Sequence, residues 1–502
     1  MIPTTNTPNY SKCIRNIFES TNRGGFCTGI QFRFHYFFNL LWLFALLIIY
    51  PTQAQLNNQK QDGYKGIWFT LGQFYDYGDK YSGGLGTYTA KHKPLAIYAS
   101  EVNKTFFVYG GTTGENDRYL LCMIGCFDHT DSTVIKPTVV YDKQGVDDPH
   151  DNPSLLIDPD GYLWVFVSGR GRSRPGFKYR SDDPYDISSF TQVSEEEMTY
   201  PQPWYIEGKG MFHFFTKYTG VRELYYETSP DGQQWTEDRK LAGIMGEGEE
   251  KSGHYQVSGH YNGKVATFFS RHPNGNVDRR TSLHYLQSTD FGETWTTASG
   301  EKEKTPVTEV DSPARIIDYE SQGKNVYLKD IGFDAEGNPV ALYLTSGGHE
   351  PGPDNNPREW RVSHHDGSTR TTNRWQTSTI TTSDHNYDMG SLWIDENRWT
   401  VIAPTVDGPQ LHGAGGEVAI WESADSGKTW QLISQLTKNS LRNHNYIRRV
   451  INGQNPFRYF WADGNPDKLS QSLMYFGDNQ GNIWQLPYEM DKEKVKLEVR
   501  EY

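Results

Sequence analysis

The sequence predicts an all-β fold, a seven-bladed β-propeller, from three observations. A similar segment recurs seven times, and its opening residues lie 58, 50, 54, 73, 58 and 59 positions apart. A period of about 50 residues is typical of propellers, in which each repeat forms one four-stranded blade. The chain carries 49 Gly and 14% aromatic residues, which suits short strands bounded by tight turns. After residue 60, no long stretch has the periodicity of a helix.

Each repeat has the same internal order. A polar or aromatic residue opens it, a short apolar strand follows, and an acidic or Asn/Gly turn leads into a second strand. The first strand of every propeller blade lines the central axis, so the opening residues are predicted to meet at one end of a central funnel. These residues are His92, His150, Tyr200, His254, Tyr327, His385 and His444.

A second repeat, the Asp-box pattern S-x-D-x-G-x-T-W, occurs three times. The copies are SPDGQQW at 229–235, STDFGETW at 288–295 and SADSGKTW at 423–430. We expect the Asp to cap a hairpin turn, the Gly to adopt a positive φ and the Trp to fill the space between blades. The box is therefore predicted to be structural. It also recurs in secreted propellers that process sugars, which favours a carbohydrate ligand.

The first 54 residues differ from the rest. An apolar run of 14 residues, at 37–50, is followed by PTQA before Gln55. The run is short for a membrane span and is typical of a secretory signal. We predict a signal peptide with a preceding segment over 1–54 and a single catalytic propeller domain over 55–502. The mature protein is expected to be secreted, periplasmic or on the cell surface, with no permanent membrane span.

Charge narrows the possible partners. Removal of residues 1–54 takes the formal net charge from −13 to −16. Such an acidic chain is not expected to bind nucleic acid through bulk electrostatics, and an anionic substrate would need locally placed cations. The motif GRGRSR supplies such a patch through Arg170 and Arg172, which fits an acidic sugar or a sulfate. The other predicted substrate-binding residues are Tyr200, His254, Tyr255, His385 and His444.

Five stretches carry a family resemblance that runs over most of residues 60–490. They are GYKGIWFTLGQF, YSGGLGTYTAKH, DDPHDNPSLLIDPDGYLWVFVSGRGRSRPG, YPQPWYIEGKGMFHFFTKYTGVRELYYETSPDG and HNYDMGSLWIDE. The chain resembles the BNR-repeat propellers that include ulvan lyases and enzymes acting on rhamnose-α-1,4-glucuronate linkages. The resemblance implies a seven-bladed propeller that cleaves an acidic polysaccharide. His129 and His150 are similar to the acid/base pair of ulvan lyases, whereas His92 is similar to the single catalytic histidine of the rhamnose–glucuronate enzymes.

Elimination at a uronate sets chemical requirements. The carboxylate must be neutralised, the C5 proton removed and the leaving O4 protonated, and His or Tyr can serve as acid and base. Tyr218 and Arg222, in TKYTGVREL, are predicted to act as acid or base and as neutraliser. The predicted funnel offers His and Tyr rather than paired carboxylates, which favours β-elimination over hydrolysis.

Several alternatives stay open at this stage. The chain could be an α-L-rhamnosidase-type hydrolase or a non-catalytic glycan-binding propeller. A sialidase is disfavoured because no arginine triad stands in a recognisable frame. His254, His260 and His272 fall within one repeat and could bind Zn²⁺, but no tight ligand motif is present, so a structural Ca or Zn ion is left open. The glycan itself, ulvan-like or arabinogalactan, is also open, as is the endo or exo mode.

Overall fold

Short antiparallel strands dominate the computed structural model, which describes residues 55–367, 375–395 and 398–500. Among these residues, helix is limited to three 3-10 turns at Pro149–Asp151, Pro273–Gly275 and Pro353–Asn355. None of the described helices is long and apolar enough to span a membrane. The predicted all-β class is confirmed. The signal-peptide prediction for residues 1–54 lies outside the described residues.

The first nine strands include one long antiparallel series and a small hairpin. They are β1 (Gly66–Thr70), β2 (Phe74–Tyr75), β3 (Gly78–Asp79), β4 (Ser82–Gly84), β5 (Ala96–Ala99), β6 (Lys104–Gly111), β7 (Leu121–Asp128), β8 (Thr133–Ile135) and β9 (Thr138–Asp142). Strands β2 and β3 pair only with each other, while β5, β6 and β7 are successive neighbours in one sheet.

The next fourteen strands form three sheets in chain order. They are β10 (Pro153–Ile157), β11 (Leu163–Val167), β12 (Gly176–Ser181), β13 (Phe190–Glu196), β14 (Thr199–Ile206), β15 (Gly210–Lys217), β16 (Glu223–Ser229), β17 (Arg239–Ala242), β18 (His254–Tyr261), β19 (Lys264–Arg271), β20 (Thr281–Ser288), β21 (Trp295–Thr296), β22 (Lys302–Glu303) and β23 (Arg315–Ile317). The sheets are β10–β13, β14–β17 and β18–β22, with β23 beside β20.

The remaining strands complete the fold. They are β24 (Asn325–Phe333), β25 (Pro339–Ser346), β26 (Arg358–His365), β27 (Trp375–Ser383), β28 (Ser391–Asp395), β29 (Arg398–Val406), β30 (Glu417–Ser423), β31 (Gln431–Gln435), β32 (Asn443–Gln454), β33 (Phe457–Gly464), β34 (Ser470–Ser472), β35 (Met474–Gly477), β36 (Ile483–Gln485), β37 (Lys494–Lys496) and β38 (Val499–Arg500). Two further sheets are β24–β27 and β28–β31.

One sheet joins the beginning and the end of the described chain. It contains eleven strands, including β5 to β9 and β32, β33 and β35 to β38. Strand β5 pairs in parallel with β32 through Ile97 and Ile451, and β37 pairs with β8. Because its two ends share a sheet, the fold is closed by backbone hydrogen bonds.

The core lies between adjacent sheets. All five residues of β11, LWVFV, are buried, as expected for a strand covered on both faces. The edge strand β31 has the opposite pattern, and four of its five residues are exposed. Burial therefore falls from the first strands of a sheet to its last strand.

The three Asp-box turns share one hydrogen-bond pattern. In each, a Ser Oγ accepts a bond from a Gly N–H, at 2.8, 2.8 and 2.9 Å, in the pairs Ser229–Gly232, Ser288–Gly292 and Ser423–Gly427. The three glycines have φ of +77°, +89° and +79°, a region that favours glycine. Trp295 is buried and donates from Nε1 to the Tyr226 hydroxyl of the preceding sheet at 3.2 Å. These contacts are structural, and none reaches the cavity described below.

Candidate active site

Bulges in three first strands turn side chains toward the centre of the molecule. The pairing register shifts at Tyr200 in β14, at Lys329 in β24 and at Tyr446 in β32. A bulge reorients a side chain and interrupts the regular alternation of a strand. Tyr200 and Tyr446 both have φ of +57°, which is strained for a residue with a side chain. All three side chains line one central cavity.

The cavity has a basic, aromatic wall. Seven tyrosines, five arginine or lysine residues and one histidine account for most of its lining. They are Tyr81, Tyr88, Tyr200, Tyr255, Tyr327, Tyr387, Tyr446, Lys91, Arg170, Arg222, Arg280, Lys329 and His150. None of the described Asp or Glu residues lines it. The wall is therefore suited to an anionic ligand.

Two arginines of the wall face tyrosine rings. The loop that carries Arg222 pairs with the start of β18, where the His254 N–H donates to the Arg222 carbonyl at 2.8 Å. This places the Arg222 guanidinium 5.8 Å from the ring centroid of Tyr255. The Arg280 guanidinium lies 4.8 Å from the same ring and bonds to the Tyr387 hydroxyl. Neither arginine forms a salt bridge with a described carboxylate, so both cations are available to a ligand.

Tyr200 and Tyr255 share the cavity but differ in acidity. Their ring centroids are 5.5 Å apart. Burial opposes ionisation of Tyr255, but Arg222 and Arg280 outweigh it and lower its pKa to about 8. Burial and the neighbouring Tyr255 raise the pKa of Tyr200 well above its ordinary value. Titratable neighbours with divergent pKa values identify a base and an acid.

His150 is oriented by a carboxylate behind it. Its Nδ1 lies 2.6 Å from Asp148 Oδ1, and its Nε2 lies 3.1 Å from the Tyr88 hydroxyl. Arg170 and Arg174 donate to the other Asp148 oxygen at 3.0 and 2.6 Å. Because the carboxylate favours a proton on Nδ1, Nε2 accepts from Tyr88. Burial lowers the pKa of His150, which keeps the ring neutral.

Two lysines form the floor of the cavity. Lys91 Nζ donates to the Leu328 carbonyl at 3.0 Å, and Lys329 Nζ donates to the Asn386 carbonyl at 2.8 Å. Burial lowers the pKa of both, to about 7 for Lys329. An anion in the cavity would favour their charged forms.

A family model for BNR repeat-containing proteins matches residues 127–385, which is just over half of the chain. The chain belongs to the BNR repeat-containing family. The predicted resemblance to BNR-repeat proteins is thus confirmed at the level of the family. We found no match among curated proteins.

Solved structures with a similar fold include ulvan lyases. A PL25 ulvan lyase matches with a TM-score of 0.61 at 14% identity, covering 88% of this chain and 98% of the lyase. A PL25 ulvan lyase bound to -[GlcA(1-4)Rha3S]- matches with a TM-score of 0.62 at 13% identity and the same coverage. The polysaccharide lyase Uly1 matches with a TM-score of 0.57 at 12% identity, covering 84% and 98%. At these identities the likeness shows a common fold.

The structure separates two histidines that the resemblance pairs. His129 Nε2 lies 2.8 Å from the Thr105 hydroxyl, near the start of β6, and its Nδ1 lies 3.2 Å from the Asn455 carbonyl. His150 instead lies near the other end of β6, because Asn152 packs against Gly110. Five residues of strand span about 17 Å. His129 and His150 therefore do not form an acid/base pair in this BNR-family protein.

His92 lies directly behind His150. Its Nδ1 accepts from the Thr89 N–H at 3.2 Å, and its Nε2 donates to the His150 carbonyl at 3.1 Å. The side chain is fully buried and does not line the cavity. His92 and His150 are thus adjacent. His92 therefore contacts the backbone of the loop that carries His150 and not the cavity.

Of the other predicted site residues, some line the cavity and others do not. Arg170, Arg222, Tyr200 and Tyr255 line the cavity. Tyr218 stands one step behind, with its ring 5.4 Å from the Arg222 guanidinium and 5.7 Å from that of Arg170. Arg172 is 90% exposed and pairs with Glu197, outside the lining. A direct contact between Arg172 and a ligand in the cavity is not supported.

Three of the histidines predicted to line the funnel use ring nitrogens to hydrogen-bond with other protein groups. His254 accepts from the Ile244 N–H at 2.9 Å and donates to the Ser270 carbonyl at 2.9 Å. His385 accepts from the Tyr387 N–H at 3.1 Å, and His444 accepts from the Trp461 indole at 2.9 Å. All three are buried away from the cavity lining, so their predicted contact with substrate is not supported.

The zinc hypothesis for His254, His260 and His272 finds no support among the described residues. Their ligand atoms do not converge, whereas Glu196, Glu227 and Asp238 do. Lys178 lies among these acids, with its Nζ bonded to Glu196 and at 2.7 Å from Glu227. A lysine therefore supplies a cation to that cluster.

Sequence reasoning missed most of the cavity's remaining wall. The missed residues are Tyr81, Tyr88, Lys91, Arg280, Lys329, Tyr387 and Tyr446. A signal existed for two of them, because HNY opens two repeats and its tyrosine, not its histidine, faces the cavity in both. Arg280 follows a turn in an unremarkable stretch, PNGNVDRR, and had no such signal.

The buried histidines predict acid sensitivity. Burial lowers the pKa of His92, His385 and His444 to about 3 and that of His254 to about 4. These rings take up protons near pH 6.5 when the chain unfolds, so the unfolded state binds more protons as the pH falls. We expect the Tm to fall steadily from pH 7 to pH 4, as measured by calorimetry. A Tm that is flat or rises over this interval would contradict neutral burial.

The separation of the two histidines predicts unequal mutants. His129→Ala should leave kcat/KM within about twofold of wild type, because the ring lies far from the cavity. His150→Ala should lower it by at least about tenfold, because the ring holds the Tyr88 hydroxyl at the cavity wall. Steady-state kinetics of both variants on one polysaccharide substrate compares their losses in kcat/KM. Equal losses of kcat/KM in two folded variants would support the acid/base pair of His129 and His150 that the resemblance implied.

Proposed function

We propose that this protein is a secreted polysaccharide lyase that cleaves rhamnose–uronate linkages in an acidic glycan, such as an ulvan-like polymer or an arabinogalactan, by β-elimination. One observation carries the proposal. The cavity combines unpaired arginines with two tyrosines of opposite acidity, and no described carboxylate lines it. This is the donor set that an elimination at a uronate requires.

The steps follow from the positions of the side chains. Arg222 and Arg280 bind the uronate carboxylate and neutralise it, which acidifies the C5 proton. The Tyr255 phenolate takes that proton, the C4–O4 bond breaks, and a double bond forms between C4 and C5. The Tyr200 hydroxyl gives its proton to O4, the leaving oxygen. Proton transfer from the Tyr255 hydroxyl to the neighbouring Tyr200 phenolate, directly or through water, then restores the starting state.

Hydrolysis has less support. A two-carboxylate hydrolase needs an acid and a second carboxylate flanking the bond, and the described lining has neither. A hydrolase that uses His92 alone would need that ring at the cavity, whereas its two nitrogens are bonded to Thr89 and His150. A non-catalytic glycan-binding propeller remains the competing class, and it requires a direct test.

The test is ultraviolet absorbance on mixing the protein with ulvan or gum arabic. Elimination creates an unsaturated uronate that absorbs at short wavelength, whereas hydrolysis and binding create no such chromophore. We expect a time-dependent rise with at least one of the two glycans, together with a loss of polymer length. Shortening without a rise would identify a hydrolase. Binding with neither change would identify a lectin-like propeller.

The architecture and targeting predictions belong to the same proposal. The sheets β10–β13, β14–β17, β24–β27 and β28–β31, the series begun by β18, and the two parts of the eleven-stranded sheet would form seven blades. The mature chain would begin near Gln55, after removal of the signal peptide. A crystal structure counts the blades, and mass spectrometry of secreted protein finds the first residue. Secreted protein that retains residues 20–40 would contradict the cleavage.

A further inference from the structure

Exposed apolar side chains cluster on four loops beside the cavity. Nine large hydrophobic residues are exposed in the described part of the chain, and five of them lie on these loops. The five, which we call the apolar rim, are Phe74, Tyr77, Leu411, Leu441 and Leu469. Tyr77 is 44% exposed and Leu411 is 59% exposed. Exposed apolar side chains that are grouped in one region are candidates for a binding surface.

Contacts between the loops hold the rim together. The Tyr77 ring meets the His412 ring edge-on, with centroids 5.2 Å apart. Gln410 Nε2 donates to the Leu441 carbonyl at 3.2 Å. Pro466 packs against Gly413, which brings the loop that carries Leu469 to the same place. The rim is thus one surface and not a set of unrelated side chains.

The rim is continuous with the cavity wall. The hairpin β2–β3 leads directly into Tyr81, which lines the cavity. Lys80 pairs with Asp278, the neighbour of the lining residue Val277. On the other side, the His412 N–H donates to Asp384 at 2.7 Å, two residues before the lining residue Asn386. A chain that leaves the cavity on this side passes over the rim.

The charge of the rim is opposite to that of the cavity. Its loops and their neighbours expose five carboxylates against two lysines, Lys438 and Lys468, whereas the cavity is lined by arginines and lysines and by no described carboxylate. The exposed carboxylates are Asp76, Glu350, Asp354, Asp407 and Asp467. A carboxylated or sulfated sugar would be repelled at this surface, while an uncharged pyranose would place its C–H face on Tyr77 and Leu411.

We propose that the apolar rim is an outer subsite that binds an uncharged, unsulfated sugar of the chain whose uronate occupies the cavity. This inference rests on the proposed function. It adds a substrate class, namely polymers in which the sugar that lies on the apolar rim carries no sulfate. It also gives the exposed hairpin residues a role that folding does not require.

Kinetics of rim variants test the subsite. Tyr77→Ala and Leu411→Ala should each raise the KM for chemically desulfated ulvan by about 3- to 10-fold and leave kcat unchanged. Leu432→Ala and Ile433→Ala are matched controls, because these residues are 50% and 52% exposed on the edge strand β31. For wild type, the KM should be lower for desulfated than for native ulvan. The double variant with Asp76→Asn and Glu350→Gln should have a smaller difference between its KM for native ulvan and its KM for desulfated ulvan.

Two results would overturn the inference while the proposed function stands: an unchanged KM in both rim variants, or equal changes in the β31 controls. A protein that cleaves neither ulvan nor gum arabic would refute the proposed function instead. In that case, amide hydrogen exchange measured with and without desulfated ulvan tests whether the apolar rim binds this glycan. Protection of residues 72–80 supports the subsite without lyase activity, and no protection there refutes it.

Discussion

Tyr255→Phe should lower kcat by about 10²- to 10⁴-fold with little change in the fold, because the substitution removes only the hydroxyl that takes the C5 proton. Tyr255 is buried, and its ring keeps its place between Arg222 and Arg280 in the variant. Steady-state rates of unsaturated-product formation measure the loss. Circular dichroism and the Tm verify that both proteins are folded.

The pH dependence gives the same prediction an independent test. The pKa of Tyr255 is lowered to about 8, so the phenolate fraction grows as the pH rises through this value. We expect kcat/KM to rise with pH, to reach half of its limiting value near pH 8 and to level off at higher pH. A rate that falls over this range would mean that Tyr255 acts as an acid or not at all.

A second tyrosine of the same wall is the control. Tyr446 also lines the cavity, but its hydroxyl donates to the Ser82 carbonyl at 3.1 Å. Tyr446→Phe should therefore cost activity far less than Tyr255→Phe. Equal losses in the two variants would show that the wall needs its hydroxyls for packing, and would remove Tyr255 from the mechanism.

The repeat pattern predicted the fold class and part of the site for a physical reason. Repeats of equal length place equivalent strands at equivalent positions, so residues near the repeat openings approach one another. Tyr200 and Tyr327 open their repeats and do line the cavity. His385 and His444 open theirs but bond to neighbouring protein groups, while the tyrosines two positions later reach the cavity.

The rest of the site was not predictable from the repeat period, because bulges change which side chains of a strand face the cavity. A one-residue bulge reverses which side chains face the axis, and nothing in the sequence of β14, β24 or β32 marks the bulged residue. Family resemblance failed in a different way at His129. A spacing of 21 residues to His150 fits a known pair, but the length of β6 separates the two side chains.

Arg222→Gln should lower kcat by about 10²- to 10³-fold, which is the cost of removing one preorganised group that stabilises a developing anion. The guanidinium has no described carboxylate partner and lines the cavity, so it can bind the uronate carboxylate. Charge accumulates on that carboxylate as the C5 proton leaves. The loss should therefore appear in kcat more than in KM.

The same substitution should also move the pH profile, since Arg222 lowers the pKa of Tyr255. In Arg222→Gln the midpoint of the rise in kcat/KM should shift to higher pH, and Arg222→Lys should restore part of both the rate and the profile. Arg172→Gln is the matched control, because Arg172 is 90% exposed beside the same region and lies outside the cavity lining. A lowered rate in Arg222→Gln with an unmoved profile would mean that the guanidinium binds substrate without activating Tyr255, and the base would then have to be sought elsewhere in the cavity.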